Sequence, residues 1–304
     1  MPRFAVIDVG TNSVKFHVGE RENHGSWTTV ADRAEVTRLG EGLDDTGKLG
    51  AEPITRTADA IAGMVDEARQ EGIEGIAAVG TAGMRIASNS SELVDAVRER
   101  TGVEIEVIPG DEEARLAYVA ATSGLGISDG KLVVFDTGGG SSQFTFGAPG
   151  RIEEQFSVNV GAARFTEQFG LDGPVPAETV AEAKAAIGAD LSRLDGRGRP
   201  DLLVGMGGGI TNMAAVKHGL ERYDPEVVQG TELDAAEIDR QIELYRTRSA
   251  DERREIAGLQ PKRAEVMLAG ACIVRTVLEK LERNSLVVSD RGLRHGLIVE
   301  RFGK

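Results

Sequence analysis

The feature that most constrains this chain is a repeat inside it. Residues 6–19 read VIDVGTNSVKFHVG and residues 134–147 read VFDTGGGSSQFTFG. At a constant offset of 128, six of fourteen positions are identical: Val6/Val134, Asp8/Asp136, Gly10/Gly138, Ser13/Ser141, Phe16/Phe144 and Gly19/Gly147. Each segment is an apolar run, an Asp-x-Gly-x-x-Ser turn, and a second run alternating in period 2. That pattern predicts a β-hairpin with a small polar turn and no helix directly after it. It is neither a P-loop nor a dinucleotide fingerprint, both of which need strand, loop, then helix.

A second pair of segments echoes at nearly the same offset. Residues 76–85 read IAAVGTAGMR and residues 202–212 read LLVGMGGGITN, with Val79, Gly80 and Gly83 matching Val204, Gly205 and Gly208. Here each apolar run enters a glycine loop that leads into a helical pattern. The repeated order of two motif types predicts a duplicated α/β fold with a cleft between its halves. Its length of 304 residues suits two domains. The glycine- and serine-rich stretch 122–130 reads as the linker, giving domains 1–124 and 125–296. Amphipathic helices are expected over 54–70, 177–194 and 235–248, and a buried helix over 263–283.

The net charge of −14 argues against nucleic-acid and anionic-membrane partners. The longest run without a charge, 202–216, is too short for the ~18 residues of a membrane span. No basic, apolar leader precedes Asp8, so a signal peptide is not expected. A single cysteine, Cys272, permits no intrachain disulfide and fits a reduced, cytoplasmic setting.

Phosphate binding needs backbone N–H groups that a ligand can approach closely. Gly10, Thr11, Asn12 and Ser13 supply one such turn; Gly138, Gly139, Gly140, Ser141 and Ser142 supply another. Successive N–H groups of this kind form anion-binding nests. The alternative is that the glycines only make tight hairpin turns. Asp8 and Asp136 stand at the strand ends as candidate Mg²⁺ ligands, since hard cations take carboxylate, water and phosphate oxygens. The alternative is that each aspartate serves its own turn.

Asp111, Glu112 and Glu113 follow Pro109-Gly110 and open a helix expected to run to about Ser123. Acids in a first turn complement the helix dipole. Helical spacing puts Glu113 on an inward stripe with Leu116, Ala117 and Ala120, and Glu112 on the side of Arg115 and Val119. Glu113 is therefore the candidate general base. Arg85 closes a glycine loop and can fork onto phosphate oxygens. Arg115, Arg164, Lys217, Arg263, Arg291 and Arg294 are further cations for a polyanion. His17, His24, His218 and His295 show no metal spacing, and Cys272 reads as core.

These motifs together resemble the exopolyphosphatase and guanosine pentaphosphate phosphatase family, within the actin/Hsp70/sugar-kinase superfamily. AVIDVGTNSVKFHV resembles its first phosphate motif and VVFDTGGGSSQF its second. GTAGMRIASN resembles the segment of its phosphate-contacting arginine, and IPGDEEARLAY that of its catalytic glutamate. SVNVGAARFTEQF, GMGGGITNMAAV and VVSDRGLRHGLI resemble its remaining blocks. The resemblance implies duplicated actin-like (RNase H-like) domains in a short form, with 297–304 crossing back to the first. It implies Mg²⁺- or Mn²⁺-dependent release of terminal phosphate from polyphosphate or guanosine pentaphosphate, by a cytoplasmic enzyme that can form a homodimer. Gly207 and Gly208 join the phosphate-binding set. At Gln143 the family carries an acidic residue taken to help hold the metal, so this chain's metal site departs there. Two rival readings are a non-catalytic guanosine polyphosphate sensor, and an ATP-dependent kinase of the superfamily using the 205–209 loop for a nucleoside.

Overall fold

The computed structural model describes residues 1–11, 13–23 and 27–303. The chain divides into two units, Met1–Ala120 with Leu293–Lys304, and Ala121–Gly292.

In the first unit five strands form one sheet: β1 (Arg3–Val9), β2 (Ser13–Arg21), β3 (Trp27–Val36), β4 (Gly75–Gly80) and β5 (Ile105–Val107), in the order β3-β2-β1-β4-β5. β1, β2 and β3 are antiparallel neighbours, while β4 and β5 continue in parallel from β1. Parallel neighbours need crossovers, and helices Ala51–Gln70 and Ser90–Thr101 supply them. Period 2 sorts the sheet's faces. Ala5, Ile7, Val9, Val14, Phe16 and Val18 pack with Ile61, Met64 and Val65 of the Ala51–Gln70 helix. The opposite face places Val6 with Leu116, Leu293, Leu297 and Ile298, from helices Gly110–Gly124 and Leu293–Phe302. Asp8 alternates with Ile7 and Val9, so it lies on this second face. So do Lys15 and His17, which pair in register with Asp8 and Val6.

The second unit carries β6 (Leu132–Thr137), β7 (Ser142–Ala148), β8 (Arg151–Val158), β9 (Leu202–Met206), β10 (Glu232–Asp234) and β11 (Ser285–Val288), in the order β10-β11-β9-β6-β7-β8. Strands β8-β7-β6-β9-β11 repeat the first unit's order and directions, with β10 added antiparallel at the edge. The Met267–Lys280 helix is buried around its circumference and contains Cys272, whose thiol burial pushes up to about 12. The thiol is therefore inert.

The internal repeat is structural down to single bonds. Gly10 N–H donates to the Ser13 carbonyl at 3.1 Å, and Gly138 N–H to the Ser141 carbonyl at 2.9 Å. The register breaks at Val18/Gly19 in one hairpin and at Phe146/Gly147 in the other. The repeated glycine marks a β-bulge in both; a side chain at Gly147 would overlap the Arg151 carbonyl.

The linker expected at 122–130 is corrected. Residues 122–124 form the last turn of the Gly110–Gly124 helix, and the division falls at Ala120/Ala121. Ala120 and Ala121 are both fully buried, and the helix they belong to runs on through Gly124 into a stretch whose composition resembles a loop. The return to the first unit starts at Leu293 and not at 297, because Leu293 already belongs to its second core.

Candidate active site

Arg85 lies in the last turn of the short helix Ala82–Ile86 that follows β4. It donates from Nη1 to the Ile108 carbonyl at 2.9 Å and to Glu113 Oε2 at 2.8 Å. Two residues singled out from unrelated motifs are thus joined. The inward stripe expected for Glu113 is corrected: its side chain is 36% exposed, against 28% for Glu112. Glu113 stands in the first turn, where the helix has not yet reached the apolar contacts of Leu116, and Arg85 draws it aside. Glu112 is clamped by Arg115 at 2.8 and 2.9 Å. The hydrogen bond from Arg115, first of all, holds its carboxyl below the usual range. Of the two, Glu113 is the more exposed and is held through a single arginine nitrogen, whereas both oxygens of Glu112 are taken by Arg115.

Asp8 is buried at 3% exposure, with the Lys15 ammonium 3.2 Å away. The ammonium thus pairs with one oxygen, Oδ2, of that carboxylate. Lys15 was missed in the sequence; the hairpin register Asp8↔Lys15 is the signal that could have found it. Gly10 closes the first turn as described. Thr11 accepts from Gly40 N–H at 2.8 Å and packs on Gly83, where any side chain would strike it. Asn12 lies outside the described residues, as does His24. Ser13 opens β2.

In the second unit, the carbonyls of Gly138 and Gly139 are taken by the N–H groups of Ala162, Ala163 and Arg164. Gly161 sits so tightly beneath that a side chain there would overlap the backbone of Gly139 and Gly140. The N–H groups of Gly139, Gly140 and Ser141 donate to no backbone carbonyl among the described residues. Gly139 and Gly140 are exposed. Carbonyls turned inward and N–H groups left over are what an anion nest requires.

Ser142 is corrected as a phosphate donor. It is fully buried, bonding Thr137 Oγ1 at 2.9 Å and donating to the Val160 carbonyl at 2.6 Å. The repeat explains this: Ser142 corresponds to Val14, a core residue of the first unit. Gln143 does pair in register with Asp136, but its amide donates to Ser141 Oγ at 2.9 Å and Ser157 Oγ at 3.3 Å.

Gly207, at φ 93°, lies directly against Asp136 and the Thr137 carbonyl. A side chain at Gly208 would overlap the Arg263 guanidinium, which therefore lies over this loop. Burial lowers the Arg263 guanidinium from its ordinary value, and the Asp136 carboxylate opposes that shift. Of the six extra cations expected to meet a polyanion, Arg263 is the one whose guanidinium lies over a glycine loop of the phosphate-binding set. Arg115 pairs with Glu112 and Glu300, Arg164 with Asp190, and Arg294 with Asp32. Lys217 donates to the Glu232 carbonyl, and Arg291 lies against Gly124.

Among the described residues, no helix is long and apolar enough to cross a membrane.

A family model described as the Ppx/GppA phosphatase family matches residues 18–304. The chain is 28% identical to exopolyphosphatase 1 of Mycobacterium tuberculosis, over 99% of this chain and 88% of that protein. It is 29% identical to the bifunctional 3-dehydroquinate synthase/phosphatase of Fusobacterium nucleatum, over 97% of this chain, but spans only 46% of that protein. The crystal structure of the type II variant of the Aquifex aeolicus Ppx/GppA phosphatase superposes with a TM-score of 0.91 and 31% identity, covering 99% of this chain and 100% of that one. The two repeated α/β units have the actin-like fold of such structures.

Proposed function

This chain belongs to the Ppx/GppA phosphatase family, and on that premise we propose that it hydrolyses the terminal phosphoanhydride of inorganic polyphosphate or guanosine pentaphosphate, with Glu113 as base. The observation that carries this reading is the Arg85–Glu113 pair. A half-exposed carboxylate held by an arginine can work on a water while the guanidinium's other nitrogens meet phosphate oxygens.

In the proposed reaction Glu113 takes a proton from water as the water oxygen bonds to the terminal phosphorus. The bridging P–O bond breaks, and its electron pair leaves with the remaining chain or nucleotide. Arg85 neutralises charge on the transferring group. Within the second unit, the N–H groups of Gly139, Gly140 and Ser141 offer a cradle for phosphate oxygens, and Arg263 adds charge at the neighbouring glycine loop. Phosphoryl transfer is mainly positioning and charge stabilisation, so these parts suffice in kind.

The fold family implies a divalent metal. Asp136 suits one, as a part-exposed carboxylate at a strand end beside a phosphate nest, and Mg²⁺ commonly uses one or two carboxylates plus phosphate and water. Asp8 suits one less well while Lys15 holds it. Gln143 offers an amide oxygen and no charge. Bound there, Mg²⁺ or Mn²⁺ would neutralise phosphate oxygens.

A phosphate-release panel tests the reading: polyphosphates of several lengths, guanosine pentaphosphate, ATP and ADP, each with and without Mg²⁺ or Mn²⁺. Metal-dependent release from polyphosphate or guanosine pentaphosphate is expected. Transfer from ATP to a sugar without such release would favour the kinase reading and sink this one.

A further inference from the structure

The four histidines show no metal spacing in the sequence, yet the fold gathers two of them. His17 on β2, Asp32 on β3 and His295 on the Leu293–Phe302 helix converge at one point. His17 Nδ1 lies 3.2 Å from Asp32 Oδ2, and His295 Nε2 lies 3.1 Å from the same oxygen. The three ligand atoms all fall within 4.8 Å of one another. The imidazole centroids are 4.6 Å apart. His17 is 2% exposed and the His295 side chain 12%, while Asp32 opens to solvent at 25%.

We propose that His17, Asp32 and His295 form a transition-metal site, suited to Zn²⁺ with water as fourth ligand, that pins the C-terminal helix to β2 and β3. Three points support it. First, the ligand types are right: imidazole nitrogen and carboxylate oxygen are ordinary zinc ligands, and three protein ligands plus water is a recurrent set. Second, the spacing is right. Zn–N and Zn–O bonds of about 2.0–2.1 Å put the corners of a tetrahedron about 3.3 Å apart. The two histidine-to-carboxylate distances are already of that length, so closing the site needs movement chiefly along the third edge. Third, the carboxylate is oriented from outside the site. Arg294 Nη2 and Nε hold Asp32 Oδ1 at 2.8 and 2.9 Å, with Nε also 3.2 Å from Oδ2. Ligating carboxylates are commonly steadied this way.

The proton inventory balances. With both imidazoles neutral, each carries one N–H and directs one nitrogen at Asp32. Binding moves that proton to the ring's other nitrogen, and the metal takes the position the protons held. No net charge leaves the protein, and the cation meets one carboxylate.

The consequence is mechanical. His17 is two residues from Lys15 on the same face of β2, and the helix bearing His295 packs Leu297 and Ile298 under Val6. A metal here fastens the helix to β2, the strand whose Lys15 pairs with Asp8 of β1.

The experiment uses the full chain, freed of metal, and Co²⁺ as the spectroscopic probe, with no phosphate present. The site predicts intense visible d–d absorption from low-coordinate Co²⁺ that Zn²⁺ abolishes at one equivalent and Mg²⁺ does not. It also predicts a Zn²⁺-dependent rise in melting temperature of about 5 °C or more at a hundredfold excess over Kd. His17→Gln and Asp32→Asn should lose both signals. Only weak, octahedral Co²⁺ bands on the wild-type protein would overturn the proposal without recourse to any variant. An unchanged Co²⁺ spectrum in both variants would overturn it equally, by placing the metal elsewhere.

Discussion

Arg85 holds Glu113 at 2.8 Å while its same nitrogen caps the Ile108 carbonyl at 2.9 Å. The arginine is therefore fixed by backbone, and the glutamate is fixed by the arginine. Removing the guanidinium should cost twice, once in phosphate binding and once in the aim of the base. Arg85→Ala is expected to lower kcat/KM for polyphosphate by about 10²-fold or more, with both constants affected. Arg85→Lys should recover only a small part, because an ammonium cannot keep the fork. Steady-state phosphate release measures this. Full activity in the lysine variant would show that point charge alone matters.

The second-unit turn separates two glycine roles. A side chain at Gly139 meets only Ala163 Cβ, at 3.5 Å, whereas one at Gly161 strikes the turn's own backbone. Gly139→Val should keep a near-normal melting temperature and lose substrate affinity. Gly161→Ala should lower the melting temperature as well, since backbone must move. Thermal melts beside substrate titrations check both. Equal destabilisation by the two would mean that Gly139 serves only the turn.

Gln143 pairs with Asp136 across the hairpin, so Gln143→Glu adds a negative charge beside the candidate metal carboxylate. Phosphate release should saturate at lower Mg²⁺, because the added carboxylate raises affinity for a divalent cation. At low Mg²⁺ the same charge repels a polyanionic substrate, so the variant should be slower there. Superimposable Mg²⁺ titrations of the two proteins would place Gln143 outside the metal site.

The histidine cluster predicts acid sensitivity. Burial lowers the His295 imidazole to about 4, against the raising effect of Asp32. Asp32 itself is held well below the usual carboxylate range: burial would raise it, but hydrogen bonds from His17 and His295 and the Arg294 charge outweigh that. Unfolded His295 takes a proton near pH 6.5, so unfolding binds protons that the fold excludes. Its contribution is fully present above pH 6.5 and fades as pH falls toward 4; the Asp32 contribution is lost only at lower pH. Metal-free protein should lose up to about 3 kcal/mol from His295 across that window. Urea melts at pH 7 and pH 4.5 measure it, and His295→Gln should flatten the slope. A slope unchanged in the variant would assign the loss to other groups.

Much of this was legible from residue order. The Asp-x-Gly turns, the matched hairpins and the strand–glycine loop–helix units are local patterns, and period 2 alone puts Asp8 opposite the Ile7 face. The repeat also carries the signal that Ser142 is core, since its partner is the apolar Val14. Glu113 stands out in the sequence, but its surroundings are not legible there. A helical wheel treats the first turn like the rest, and Arg85 comes from a different motif. The His17–Asp32–His295 cluster was invisible because it joins the first hairpin to the last helix, and only strand register and helix docking bring them together. The stretch 122–130 misled because glycine and serine also occupy a helix's final turn.

The central claim rests on Glu113, and one comparison addresses it: kcat for phosphate release by wild type, Glu113→Gln and Glu112→Gln on the same substrate. Loss of a general base costs ~10²–10⁴-fold, so Glu113→Gln should fall by that range with KM little changed. Glu112→Gln, which removes only a carboxylate already spent on Arg115, should stay within a few-fold of wild type. A Glu113→Gln enzyme at wild-type rate, or equal losses in both variants, would contradict the account.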